Sequence, residues 1–250
     1  HRYLHDLHEC GVRNFVVDHI PATMQNVDDS NFLIVPDVKK ALQTIASYHR
    51  GRFTAPVIGI TGSRGKTIVK EWLYQLLCAD YSMVRSPRSY NSQIGVPLSI
   101  WEMNENTQLA IFEAGISQPN EMVSLQSMIR PKLSIITNIG DEHDEGFASQ
   151  RLKCEEKVML CRDCDCIVYN GDDVLISDVV ANAGLTVKEI AWSRRNPDSP
   201  LFISSIKKSK HTTTIKYSYL MYDGVIEIPF VGDYDIENAI AVKTGVKSVE

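Results

Sequence analysis

The sequence predicts an α/β protein whose mostly parallel sheet is flanked by helices. Short apolar segments alternate with segments of helical periodicity, and each apolar segment is hydrophobic at nearly every position. Strands of this kind are buried on both faces, as in sheets built from strand–helix–strand units. The predicted strands cover residues 14–17, 32–35, 56–60, 109–115, 133–140 and 166–170.

Helical segments fill most of the intervals between these strands. Each repeats apolar residues three or four positions apart, as Val69, Leu73, Leu76 and Leu77 do after the third predicted strand. The predicted helices cover residues 38–48, 66–77, 121–129, 150–160, 174–183 and 235–246.

The segment GRFTAP at 51–56 separates a helix from the next strand and predicts a domain boundary. We assign 1–52 to the C-terminal part of an N-terminal α/β domain and 53–250 to a central domain. Between 188 and 230 the pattern changes to β-branched and alternating residues, which predicts antiparallel hairpins appended to the sheet. The basic run at 207–210 is expected at a solvated hairpin tip.

Composition narrows the function classes. The net charge of −5 over 250 residues argues against a nucleic-acid partner, because no basic stripe is present. No apolar run approaches the ~20 residues of a membrane span, and no signal peptide opens the chain, so a cytoplasmic location is expected. Six cysteines are then expected as free thiols. A zinc or iron–sulfur site is the alternative for the four that crowd together, although their spacing lacks the paired form of structural zinc sites: Cys154, Cys161, Cys164 and Cys166.

The strongest local signal is the glycine-rich segment TGSRGKT at 61–67, between a predicted strand and a predicted helix. In such a turn, backbone N–H groups converge on a phosphate, the lysine reaches the β and γ phosphates, and the threonine hydroxyl ligates Mg²⁺. The candidate nucleotide-binding residues are Gly62, Ser63, Arg64, Gly65, Lys66 and Thr67. Ile60 stands where the general pattern has its first glycine, so a purely structural turn is the alternative.

Polar residues follow two further strands. Because ligands bind beyond the carboxyl ends of parallel strands, Glu113 is a candidate Mg²⁺ ligand and His143 lies in a loop at the same edge. A strand-end ion pair and a solvated histidine are the alternatives. Lys157 stands on the following helix beside Glu155 and Glu156, where a solvated charged face is the alternative.

Five motifs in this order resemble the Mur ligases, ATP-dependent amide-forming enzymes of peptidoglycan assembly. They are TGSRGKT (61–67), YNSQIGVPLS (90–99), EAG (113–115), TNIGDEH (137–143) and GDYDIENAIAV (232–242). The extended form TGSRGKTIVKEW is most similar to the members that add D-alanyl-D-alanine to a UDP-N-acetylmuramoyl-tripeptide, among them forms fused to an alanine racemase. The shorter glycine loop is the family's own form.

The resemblance implies roles for particular residues. Lys66 and Thr67 match the phosphate and Mg²⁺ ligands, and Glu113 and His143 match metal ligands. Lys157 matches a lysine that these ligases carbamylate with CO₂ to obtain an anionic oxygen ligand.

Further residues match nucleotide and substrate contacts. Asn238 matches an asparagine associated with adenine, and the segment with Asn91 and Ser92 matches muramyl-substrate contacts. Here the chain departs from the family twice, since Ser92 replaces an asparagine, and Tyr234 and Asp235 replace a His-Asn pair.

The implied reaction is acyl phosphate formation with ATP and Mg²⁺, followed by attack of an amine. The implied partners are a UDP-muramyl peptide and D-alanyl-D-alanine, and a monomeric ligase unit is expected. Because the family's third domain would follow residue 250, we expect this chain alone to bind nucleotide without forming the amide. The alternatives are another ligase of the superfamily, such as a folylpolyglutamate synthase, and a P-loop NTPase switch.

Overall fold

A computed structural model of the protein describes residues 2–140, 146–220 and 222–249. The strands are β1 (Asn14–Val17), β2 (Asn31–Ile34), β3 (Val57–Thr61), β4 (Met83–Arg85), β5 (Leu109–Glu113), β6 (Leu133–Ile136), β7 (Cys166–Asn170), β8 (Lys188–Ser193), β9 (Leu201–Lys208), β10 (Thr213–Tyr219) and β11 (Tyr222–Ile228). The helices are α1 (Leu4–Glu9), α2 (Val38–Gly51), α3 (Lys66–Leu77), α4 (Gly95–Ile100), α5 (Glu121–Ile129), α6 (Gln150–Val158), α7 (Val174–Asn182) and α8 (Asp233–Val249).

Within these residues the strands form two sheets. β1 and β2 make a small parallel pair, and the other nine strands form one sheet in the order β11-β10-β9-β8-β7-β6-β3-β5-β4. Pairing is parallel from β4 to β9 and antiparallel from β9 to β11. The predicted fold class, a mostly parallel sheet with an antiparallel group, is confirmed.

Strand β3, the third strand from the β4 edge, is where the chain reverses the direction in which it adds strands to the sheet. The chain passes from β3 outward to β4 and β5 on one side, then crosses back so that β6 pairs with the other side of β3. The loops after β3, β5 and β6 therefore diverge at one edge and leave a crevice between them. Any ligand site that the fold builds is expected in this crevice.

Helices cover both faces of the sheet, as continuous apolar strands require. One core layer packs side chains of α3 and α8, such as Leu73 and Ile240, against Ile58 and Ile60 of β3. The opposite layer packs α2, α4 and α5 against alternate residues of the same strands. Helix α2 lies against α4 and α5, so it packs on the larger unit although the sequence assigns it to the N-terminal domain.

Among the described residues, three helices begin with a side-chain cap, whereas α1, α3, α4 and α5 have none. The side chains of Asp37, Ser149 and Asp173 accept backbone N–H groups at the first turns of α2, α6 and α7. Helix α3 instead begins after Gly65 and has no side-chain cap at its N-cap position. Its first turn therefore presents N–H groups and the positive end of the helix dipole to the crevice.

Three short elements, α1, β4 and α4, were not predicted from the sequence, and one prediction was wrong. β4 is only three residues long and half-buried, and α4 contains Gly95 and Pro97, so neither has a recognisable pattern. The predicted antiparallel region began at residue 188, but β8 pairs parallel with β7 and briefly with β9. The residues 194–200 between β8 and β9 include two prolines and return the chain in the same direction, which alternation alone does not encode. The basic run at 207–210 does lie at the exposed tip between β9 and β10.

The clustered cysteines are free thiols in the hydrophobic interior. Cys154, Cys161 and Cys164 are buried between the sheet and the helices α6 and α7. Burial raises the pKa of Cys154 to about 12 and that of Cys164 to about 11. In the described part of the chain, no group of three or more potential ligand side chains is arranged to hold a metal ion. The same residues contain no helix long and apolar enough to cross a membrane.

Candidate active site

The glycine loop occupies the crevice above β3, and two of its glycines are required by close approach. Gly62 has φ +140° and Gly65 has φ +83°. A Cβ atom on Gly62 would stand 2.0 Å from Thr137 Oγ1, and one on Gly65 would stand 2.3 Å from Asn238 Oδ1. The loop therefore takes a shape that only glycine allows at both positions.

The segment after β6 holds the glycine loop in place. Ser63 N donates to the carbonyl oxygen of Asn138 at 2.8 Å, and Arg64 N donates to Asn138 Oδ1 at 3.0 Å. Thr137 Oγ1 donates to the Arg64 carbonyl at 2.6 Å. These bonds join the first and the last loop of the crevice into one rigid unit.

Two lysines approach the loop from different helices. Lys66 Nζ, on α3, donates to the carbonyl oxygens of Gly62 and Ser63 at 2.8 and 2.7 Å. Lys157 Nζ, on α6, donates to the Gly62 carbonyl at 3.0 Å. Lys157 is 3% exposed, so the alternative of a solvated charged face is wrong for this residue. The amino groups of both lysines thus lie beside the loop, where a polyphosphate would bind.

Glu113 stands at the end of β5 with its side chain fully buried. Its Oε2 accepts hydrogen bonds from Thr67 Oγ1 at 3.0 Å and from Asn91 Nδ2 at 3.3 Å. Its Oε1 lies 3.0 Å from Lys70 Nζ, yet among the described residues it accepts no hydrogen bond of good geometry. The strand-end ion pair, given above as the alternative, and the expected neighbour Thr67 are therefore both present.

This donor set fits Mg²⁺. A carboxylate and a hydroxyl oxygen lie side by side, and a buried carboxylate oxygen retains acceptor capacity. Hard oxygen ligands of this kind are those that Mg²⁺ prefers, with phosphate oxygens completing the shell. Thr67 and Glu113 are the described residues that would hold the ion.

A cavity of about 350 Å³ adjoins the glycine loop. Lys66, Lys157 and the segment predicted to contact substrate all line this cavity, and Lys39 of α2 lines it too. Its lining includes Lys39, Lys66, Asn91, Ser92, Gln93, Ser117, Glu121 and Lys157. The phosphate loop and the predicted substrate segment are therefore parts of one site.

The remaining predicted residues lie around the loop or outside the described residues. Asn238, on α8, is buried against Gly65. The guanidinium carbon of Arg64 lies 5.9 Å from the ring centroid of Tyr234, one of the residues that departs from the family pattern. His143 belongs to 141–145, outside the described residues.

Sequence reasoning missed two buried lysines. Lys70 contacts Glu113, and Lys153 donates a hydrogen bond to the Gly140 carbonyl; neither is exposed. A positional signal existed for both, because Lys70 follows Lys66 by one helical turn and Lys153 precedes Lys157 by one turn. This spacing puts each lysine on the same helix face as a predicted site residue, so both could have been named as candidates for the active site.

The fold and the loop define a phosphate-binding α/β protein of the P-loop type. The chain belongs to the Mur ligase family, since the Mur ligase middle domain matches residues 60–244. Among curated relatives, it is 26% identical over 245 residues to UDP-N-acetylmuramoyl-tripeptide--D-alanyl-D-alanine ligase of Bacillus subtilis, covering 96% of this chain and 51% of the relative. The ligase of the same name from Borreliella burgdorferi is 34% identical over 175 residues, covering 68% and 37%.

Solved structures agree on the fold. MurF from Acinetobacter baumannii superimposes with a TM-score of 0.89 at 20% identity, covering 99% of this chain and 54% of that one. MurF ligase from Thermotoga maritima in complex with ADP gives a TM-score of 0.86 at 20% identity, covering 100% and 57%. The chain thus spans about half the length of these proteins or less.

Proposed function

We propose that the whole protein containing this chain is an ATP-dependent ligase that adds D-alanyl-D-alanine to UDP-N-acetylmuramoyl-tripeptide. The observation that carries the proposal is the shared cavity: Lys66 of the phosphate loop and Asn91 of the predicted substrate segment line the same space. A substrate carboxylate bound there lies next to the γ phosphate. Two relatives bear the name of this activity, and one structural relative was solved with ADP.

The reaction has two steps. A carboxylate oxygen of the muramyl peptide attacks the γ phosphorus of ATP, the bond to the β-bridging oxygen breaks, and acyl phosphate and ADP form. The amine of the dipeptide then attacks the acyl carbon, phosphate leaves and the nitrogen loses a proton. Lys66 and the N–H groups of the glycine loop offset negative charge on the phosphates, which is the main catalytic task in phosphoryl transfer.

Thr67 and Glu113 are proposed to hold Mg²⁺, which when bound supplies further positive charge to the phosphate oxygens. His143 is proposed as another ligand on the resemblance alone. Lys157 is proposed to react as its neutral amine with CO₂, forming a carbamate and releasing a proton. A carbamate nitrogen keeps one N–H, so the bond to the Gly62 carbonyl is compatible with the modification.

Nucleotide and domain assignments complete the proposal. Asn238 and the neighbouring Arg64 are proposed to flank the adenine, because Asn238 packs against Gly65 at the start of the phosphate loop. Residues 1–52 are proposed to belong to the domain that binds the uridine part of the substrate. Monomeric state and a racemase fusion stay predictions.

Product analysis by mass spectrometry tests the function. The whole protein is incubated with ATP, Mg²⁺, the UDP-muramyl tripeptide and D-alanyl-D-alanine, and omission of each substrate is the control. We expect the ligated pentapeptide and one ADP per product. ATP hydrolysis that is independent of both peptides would favour the NTPase switch, and glutamate addition to a folate would favour the other ligase class.

A further inference from the structure

We propose that Lys70 is a positioning residue that fixes the Glu113 carboxylate and the segment 86–91 relative to the phosphate loop. Its consequence for metal binding rests on the proposed function, whereas the positioning itself does not. Lys70 lies on α3, one turn beyond Thr67, so it is carried by the same rigid helix as the phosphate-loop residues.

The surroundings of the Lys70 ammonium group support this role. The residue is fully buried. Its Nζ lies 3.0 Å from Glu113 Oε1, donates to the Ser86 carbonyl at 2.8 Å and donates to the Arg88 carbonyl. The two carbonyl acceptors belong to the segment after β4, and the Glu113 carboxylate is an ion-pair partner at the end of β5. One side chain therefore joins helix α3 to the end of β5 and to the segment after β4.

The segment 86–91 also forms hydrogen bonds with the backbone and the side chain of Glu113. Glu113 N donates to Ser86 Oγ at 3.2 Å, and Asn91 Nδ2 donates to Glu113 Oε2 at 3.3 Å. Ser89 Oγ lies 3.2 Å from Thr67 Oγ1. Lys70 thus holds one oxygen of Glu113 while Thr67 and Asn91 hold the other.

The two ends of the carboxylate explain why position matters. With Oε1 fixed by Lys70, Oε2 faces the Thr67 hydroxyl, which is the orientation that a shared cation requires. Asn91, which donates to Glu113 Oε2, lines the cavity beside the glycine loop, so the position of the carboxylate also affects the position of Asn91. Without Lys70, the carboxylate can rotate and the two carbonyls of segment 86–91 lose their donor.

Hydrogen–deuterium exchange without any ligand tests the positioning. In Lys70→Met, we expect exchange in 86–91 to be about tenfold faster while α7 keeps its protection, as a local opening requires. Glu71→Gln is the matched control, because Glu71 Oε1 also lies 3.2 Å from Lys70 Nζ, but the Glu71 side chain is partly exposed and pairs with Arg85. Unchanged exchange in 86–91, or a uniform increase over the chain, would overturn the proposal.

The double variant Lys70→Met/Glu113→Gln covers the case in which the single variant does not fold, because it leaves no unpaired buried charge. It should still show faster exchange in 86–91, since the Ser86 and Arg88 carbonyls have lost their donor. Normal exchange in that segment would refute the positioning role.

The link to the metal is tested by comparing the binding of Mn²⁺·ATP and of metal-free ATP in wild type and in Lys70→Met. We expect about tenfold weaker Mn²⁺·ATP binding with metal-free ATP unchanged. If the wild type binds neither form of ATP while exchange in 86–91 is still faster in Lys70→Met, the proposed function fails and the positioning role stands. If Lys70→Met loses affinity for both forms of ATP equally, the link between Lys70 and the metal is refuted.

Discussion

Lys157 Nζ donates a hydrogen bond of 3.0 Å to the carbonyl oxygen of Gly62, ninety-five residues earlier in the chain. The bond joins helix α6 to the first glycine of the phosphate loop, and Lys66 donates to the same carbonyl at 2.8 Å. The two lysines therefore meet at one point of the backbone. Changes at either residue should separate phosphate binding from the later chemistry.

Replacing Lys157 with alanine should abolish amide formation in the whole protein, because the proposed carbamate can no longer form. Added acetate or formate should restore part of the activity by supplying the missing anion. ¹³C NMR with ¹³C-bicarbonate should show a carbamate carbon in the wild type that is absent from the variant. Lys132→Ala is the control, since Lys132 is 61% exposed and pairs with Asp165 at the surface. Full activity of the variant, or a wild type without the carbamate signal, would contradict the assignment.

Lys66→Ala should remove ATP binding rather than slow the chemistry. A hydrogen bond to a charged group contributes about 2 kcal/mol, and loss of contacts to two phosphates should weaken affinity roughly 1000-fold. Calorimetric titration with Mg²⁺·ATP measures this directly. Lys207→Ala, on the exposed hairpin tip, should bind as the wild type does. Equal affinities in the two variants would rule out the phosphate-loop assignment.

Gly65→Ala should cost both stability and nucleotide affinity. Positive φ costs an alanine roughly 1–2 kcal/mol, and the new Cβ would also displace Asn238, whose Oδ1 would be 2.3 Å away. Gly184→Ala is matched, because Gly184 has φ +62° and open space around it. Urea unfolding should show a loss in both variants, whereas only Gly65→Ala should bind ATP more weakly. An ATP affinity of Gly65→Ala equal to that of the wild type would mean that the contact between Asn238 and Gly65 is not needed for nucleotide binding.

Stability should fall above pH 9 because of the buried thiols. Their ordinary pKa is 9.0, and burial raises the pKa of Cys154 to about 12 and that of Cys164 to about 11. The unfolded chain then loses protons that the folded chain keeps, so the stabilisation is complete below pH 9 and is lost as the pH rises. Each pH unit in this window costs about 1.4 kcal/mol per thiol.

Urea unfolding between pH 7 and 10.5 in reducing buffer measures this slope. In Cys154→Ala, the free energy of unfolding should fall less steeply with pH, by about 1.4 kcal/mol per pH unit. At pH 8, the exposed Cys10 and Cys78 should react first with a thiol reagent. Rapid reaction of Cys161 in the folded protein would show that the interior is more open than described.

The sequence by itself determined the main strands, the phosphate loop and the residues at the strand ends. These features depend on local chemistry: an apolar run marks a strand buried on both faces, and a Gly-x-x-Gly-Lys-Thr segment marks a turn with converging N–H groups. Glu113 could be assigned to the site edge because its strand ends there. The parallel pairing of β8 was not predictable, because alternation is the same in either direction.

Only the tertiary structure decided which charges are buried and which residues meet. Lys157 lies among glutamates in the sequence, yet Glu156 accepts a hydrogen bond from Met122 N and Lys157 turns to Gly62. Lys70 and Glu113 form a buried pair only because the order β5-β3-β6 brings α3 over the end of β5. Residue patterns fix which face of an element is buried, whereas contacts between distant segments depend on strand order and on the space that the packed helices leave.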